Sequence, residues 1–116
     1  MKTFAECKAV LDRTRYGKRK RIGVKTWAKY VGSNTQVAIV YNNAYILSHH
    51  RDGSFTLWLD YYPGVADRKR VAMYSNAKVY KRKGLLLVDY MGKTYRYKHA
   101  MTCYPNGEVT LAQEVA

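Results

Sequence analysis

The chain has 116 residues, with 21 Lys and Arg against eight Asp and Glu, a formal net charge of +13, and twelve tyrosines. That length sets one domain with a modest core, and without a run of about 18 apolar residues no transmembrane helix is expected. Glu6, Lys8 and Asp12 interrupt the first apolar residues too early for a secretory signal, and Cys7 and Cys103 form no CxxC pair, so a reducing cytoplasm is the expected setting.

Phe4, Cys7, Val10 and Leu11 recur at helical spacing, with Glu6, Lys8 and Asp12 on the other face. This predicts a helix within residues 1–13, with Thr3 as its N-cap and Glu6 completing a capping box. Residues 14–25 lose the periodicity and carry Gly17 and Gly23, so a basic loop or extended arm is expected there. From about residue 26 the period becomes two. Val37, Ile39 and Tyr41 alternate with Gln36, Ala38 and Val40; a strand over Tyr45 to His49 follows Asn42-Asn43, and another over Phe55 to Leu59 follows Asp52-Gly53. Both dipeptides suit tight hairpin turns, so the three strands should form an antiparallel meander.

After Pro63-Gly64, residues 66–74 predict a short helix with Asp67 at its positive end. Strand patterns return at Lys78 to Lys81, Leu85 to Tyr90, Thr94 to Cys103 and Val109 to Leu111. The fold class is therefore α+β: predominantly antiparallel sheet with an N-terminal helix and one short central helix. An internal echo of the form [D/N]-G-x-Φ-T-L links Asp52–Leu57 with Asn106–Leu111, and two similar Asx-Gly turns account for it.

Catalytic chemistry has little to draw on, since the eight carboxylates fall in no recognisable motif and neither a phosphate-binding GxxxxGK[ST] loop nor a GxGxxG turn occurs. His49 and His50 should point to opposite faces of one strand and cannot chelate together. A binder without metal or cofactor is expected rather than an enzyme. The partner should bear phosphate: basic residues concentrate at Arg13, Arg15, Lys18, Arg19, Lys20, Arg21 and Lys25, at Arg68, Lys69 and Arg70, at Lys78, Lys81, Arg82 and Lys83, and at Lys93, Arg96 and Lys98. Tyr16, Tyr30, Tyr61, Tyr62, Tyr74, Tyr80, Tyr95 and Tyr97 interleave with them, a pattern that suits stacked bases beside held phosphates as well as ordinary strand faces.

One stretch carries a family pattern: Tyr41-Asn42-Asn43-Ala44, Ile46, Asp52-Gly53, Thr56-Leu57, Tyr62, Arg68-Lys69-Arg70-Val71-Ala72 and Val79-Tyr80-Lys81-Arg82-Lys83-Gly84. It resembles small phage-encoded proteins of the Thoeris anti-defence type, with Ala72 and Ala66-Asp67 standing where that pattern has Asn and a Thr pair. The resemblance implies a cytoplasmic homo-oligomer that captures a cyclic ADP-ribose-type or cyclic oligonucleotide signal whole. Tyr62, Arg68, Arg70, Tyr80 and Arg82 would then be its ligand-binding residues.

Two other readings stand beside that one. The segment holding Arg13, Arg15, Lys18, Arg19, Lys20 and Arg21 could follow a nucleic-acid backbone while a tyrosine-rich sheet stacks unpaired bases. Alternatively, the basic face could cover an acidic site on another protein.

Overall fold

The computed structural model describes residues 2–14, 18–32, 34–59 and 63–115. Helix α1 (Phe4–Asp12) opens the chain as its pattern requires: the Thr3 hydroxyl accepts the Glu6 N–H at 3.2 Å and donates to the Glu6 carboxylate. The apolar face of the helix, Phe4, Cys7 and Leu11, is buried. Strands β1 (Arg19–Gly23), β2 (Thr26–Val31), β3 (Gln36–Tyr41), β4 (Ala44–His50) and β5 (Phe55–Leu57) follow. Then come α2 (Val65–Tyr74), β6 (Lys78–Arg82), β7 (Leu85–Tyr90), β8 (Lys93–Arg96), β9 (Thr102–Cys103), β10 (Val109–Thr110) and β11 (Gln113–Glu114).

Two antiparallel sheets result. The larger runs β1-β2-β3-β4-β5-β9-β10 and the smaller β11-β8-β7-β6. The meander β3-β4-β5 forms as its turn residues require, with Asn42 and Asn43 both at positive φ (51° and 64°). The fold is thus the expected α+β class.

Two elements differ from the sequence expectation. Within the stretch expected to be a basic loop or extended arm, Arg19 to Gly23 pair along β2 as an edge strand. Alternation of apolar residues cannot reveal such a strand, since exposed charge on an edge is compatible with pairing on one side only. The continuous pattern from Thr94 to Cys103 splits as well. Ala100 sits at φ 66° and the Met101 N–H closes on the Lys98 carbonyl at 3.0 Å, so the chain leaves the smaller sheet after β8 and enters the larger one as β9.

One apolar cluster joins both sheets and both helices. Ala28, Val37, Ile39, Leu47, Phe55 and Leu57 from the larger sheet meet Val79, Val88, Tyr90 and Tyr95 from the smaller one, with Phe4, Cys7 and Leu11 of α1 and Val71 and Tyr74 of α2. Phe55 and Tyr90 touch edge to face, their ring centroids 5.5 Å apart. The two hydroxyl-bearing bridges repeat this union: Tyr97 donates to the Leu59 carbonyl and Tyr90 to the Tyr104 carbonyl. No helix of the described residues is long and apolar enough to cross a membrane.

The echoed turns share one local geometry. Ser54 N–H donates to Asp52 Oδ1 and Glu108 N–H to Asn106 Oδ1, each at 2.9 Å, with Gly53 at φ 93° and Gly107 at φ 94°. Both are Asx turns in which the side chain replaces a backbone acceptor.

His49 and His50 do point to opposite faces. His49 is buried against the Tyr74 carbonyl, its ring nitrogen 2.7 Å away, and burial pushes its pKa from 6.5 down to about 4. His50 meets Thr56 Oγ1 on the other face, and burial lowers its pKa too. Between pH 6.5 and 4 the unfolded imidazole at position 49 takes up a proton that the folded one refuses. Stability therefore falls as pH drops through that window, by on the order of 3 kcal/mol for this group. Urea unfolding at pH 7 and pH 4.5 should show the loss, and His49→Gln should flatten it.

Candidate functional site

Pairing fixes which side chains share the outer face of the larger sheet. Arg19 lies opposite Lys29, Arg21 opposite Trp27, Trp27 opposite Val40, and Lys29 opposite Ala38, which in turn faces Ser48. Opposed residues of an antiparallel pair project to the same side. The inner side of these strands carries Thr26, Ala28, Val37, Ile39 and Leu47, which the helices and the smaller sheet cover. Among the described residues no helix or second sheet lies over the outer side.

That face combines cations with aromatic rings. The Arg19 guanidinium sits 4.7 Å from the Trp27 ring centroid and the Lys29 ammonium 5.5 Å from that of Tyr45. Trp58 joins them, donating its indole N–H to Ser48 Oγ at 2.9 Å while His99 stands edge-on to it at 5.5 Å. Ala38 and Ser48, though on the outer face, are almost wholly covered by these larger neighbours. Trp27, Lys29, Tyr45 and Trp58 surround these two small residues on the outer face. Beyond Ser48 the face turns polar, with His50 bonded to Thr56 and Thr56 to Thr102.

Tyr45 reaches this face because β4 bulges. Ile39 pairs with Leu47 but Val40 with Tyr45, so β4 carries one residue more than its partner there. Strict alternation would send Tyr45 inward with Leu47 and His49. The extra residue turns it out toward Lys29, the re-aiming that bulges produce, and leaves it 43% exposed.

Of the residues expected to bind a small nucleotide, Arg68 and Arg70 lie on α2 and Tyr80 and Arg82 on β6. Arg70 is engaged within the fold: Nε donates to Thr26 Oγ1 at 2.8 Å, Nη1 to the Ala66 carbonyl and Nη2 to the Val24 carbonyl at 3.2 Å each. Its guanidinium also lies 3.8 Å from the Tyr41 ring centroid. Arg68 stands two positions earlier, about 200° around the helix, and its Nε is buried without a hydrogen-bond partner. Tyr80 and Arg82 belong to the smaller sheet, where the Tyr80 hydroxyl donates to Asp89 Oδ1 at 2.9 Å. Tyr62 lies outside the described residues, as do Tyr16 and Tyr61.

The basic segment is better gathered. Arg13 caps α1 and binds the Ala9 carbonyl; Lys18 precedes β1, its carbonyl taking the Tyr30 N–H. Arg19 and Arg21 lie on the outer face with Trp27, whereas Lys20, opposite Ala28, projects the other way; all three are exposed. Arg15 is not among the described residues. Among the described residues, four of the interleaved tyrosines serve the core instead: Tyr30 turns inward to Asp12, Tyr74 to the Ile22 carbonyl, Tyr97 to Leu59, and Tyr95 is buried.

Sequence reasoning missed Trp27, Lys29, Tyr45 and Trp58. The i, i+2 spacing of Arg19 with Arg21 and of Trp27 with Lys29 carries the signal, because a period of two puts each pair on one side of a strand. Comparison with protein-family models gave no match, and comparisons with curated proteins and with solved structures gave none either.

Arg70 holds the β1–β2 hairpin to α2, and so positions the strand that carries Arg19 and Arg21. Arg70→Ala should cost about 2 to 4 kcal/mol of stability in urea unfolding, because the hydrogen bonds of the guanidinium and its cation–π stacking on Tyr41 are removed at once. Arg70→Lys should recover little of it, because an ammonium cannot reproduce the planar fork.

Proposed function

We propose that this chain is a non-enzymatic nucleic-acid-binding domain that takes unpaired bases of a single strand on the outer face of its larger sheet. The observation that carries this reading is the placement of both tryptophans of the chain, Trp27 and Trp58, with Tyr45 on an uncovered face where cations already stand over two of the rings. Aromatic rings stack bases whatever their sequence, at about 1–3 kcal/mol each, and adjacent cations hold the phosphates. Arg19, Arg21 and Lys29 form no ion pair with a carboxylate among the described residues, which leaves their charge available. Cys7 and Cys103 are free and buried, which supports a reducing, cytoplasmic setting.

Polynucleotide binding has more support than capture of a small cyclic nucleotide. Capture would require Arg70 to offer its fork to a ligand, and that fork is occupied by Thr26, Ala66 and Val24. An open sheet face suits a chain that enters and leaves at either end.

The two tryptophans make the test direct. Titration with single-stranded oligonucleotides should quench intrinsic fluorescence, and duplex of the same sequence should bind more weakly. The affinity should fall with salt by a log–log slope of about −2 to −3, as for three or four neutralised phosphates on a single strand. Trp27→Ala and Tyr45→Ala should each weaken binding roughly five- to a hundredfold. Binding unaffected by both substitutions would refute the assignment of this face, and no saturable binding of any single strand would refute the function.

A further inference from the structure

Among the described residues, no helix or second sheet packs on the outer face of the smaller sheet either. The register places Lys78, Tyr80 and Arg82 of β6, Leu85, Leu87 and Asp89 of β7 and Thr94 and Arg96 of β8 on the side turned away from the shared core. Val79, Val88, Tyr90 and Tyr95 occupy the core side. Because the inner faces of both sheets pack into one cluster, the two outer faces look away from each other.

Charge on this second face is one-sided. Lys78, Arg82 and Arg96 are exposed and form no ion pair among the described residues. The one carboxylate, Asp89, accepts both the Tyr80 and the Thr94 hydroxyls on Oδ1, at 2.9 and 2.8 Å. Those bonds hold the Tyr80 ring in place between Lys78 and Arg82 on its own strand and Leu87 across from it. A ring already fixed loses little entropy when a base stacks on it, and flanking cations supply the phosphate contacts. Leu85, 38% exposed, is the accessible apolar side chain beside the buried Leu87.

We infer that this face is a second single-strand site, so that one molecule holds two nucleic-acid strands at once, back to back. The inference rests on the function proposed above, and it predicts what a one-faced binder lacks: the joining of two strands that do not pair with each other.

Native mass spectrometry of the full chain with two short, non-complementary oligonucleotides of distinct mass tests it. The expected result is a complex of one protein with both strands. Lys78→Gln/Arg82→Gln/Arg96→Gln should stop at one strand, with the first affinity kept within about twofold and the melting temperature unchanged. Should that variant not fold, Arg82→Gln/Arg96→Gln should weaken the second step about tenfold. Arg19→Gln/Trp27→Ala should leave one strand bound through the smaller sheet. A wild-type protein that saturates with one strand would overturn the second site while leaving the proposed function intact. Persistence of the two-strand complex in the folded triple variant would do the same. No binding of either strand would overturn both.

Discussion

A single apolar cluster claims the inner faces of both sheets and the buried sides of both helices, and the distribution of everything else follows from that demand. A chain of this length buries enough surface for stability only by using one continuous core. With 21 basic and eight acidic side chains, the cations cannot be neutralised in place and must go where water reaches them. Outer faces and free edges are what remain, and both sheets put a strongly basic strand, β1 or β6, on a free edge. The tyrosines divide along the same line. Their rings fill the core while their hydroxyls reach backbone carbonyls, as in Tyr74, Tyr90 and Tyr97, so their abundance reflects a small core that must also satisfy polar groups at its margin.

Arg70 shows how the same charge can serve architecture. The fold draws this cation against its scaffold, where it binds two carbonyls and one hydroxyl while its guanidinium lies over Tyr41. Arg can do this because its planar group presents several donors and is weakly hydrated. The contact spans α2, the turn after β1 and the strands β2 and β3, so the orientation of the Arg19–Gly23 edge is coupled to a helix on the opposite face. A basic residue beside an aromatic in sequence is therefore an ambiguous sign; the partners of its N–H groups decide between a scaffold and a binding role.

Much of the fold was legible because local chemistry and tertiary demand agreed. Thr3 and Glu6 define the start of α1, and Asn42-Asn43, Lys83-Gly84 and Met91-Gly92 supply positive φ angles where hairpins need them. What escaped was decided by distant contacts. Nothing near Ala100 announces its left-handed conformation, which is set by the passage of the chain from one sheet to the other. Strand β1 was hidden by its charge, and the outward turn of Tyr45 by a bulge that leaves no mark in the alternation of Tyr45, Leu47 and His49. Of the candidate binding residues, Arg19 and Arg21 stand in a basic segment legible in the sequence, but the nearness of Trp27 becomes visible only once β1 and β2 are known to pair.

Charged edges have a purely structural use: they keep the free strands of a sheet from pairing with those of another molecule. That use accounts for Lys20 on β1 and for Lys81 on β6, whose exposed positions would set like charges together in an edge-to-edge pair. It does not account for Lys29, which lies on an interior strand of the larger sheet with β1 on one side and β3 on the other. Nor does it explain why both tryptophans, large apolar groups that a core would readily accept, are placed on the uncovered side with cations or polar partners at their faces and edges. Edge protection needs charge alone, whereas recognition of a base and its phosphate needs charge and a ring together. It is the interior strands, where the two occur side by side, that favour a binding surface over simple protection.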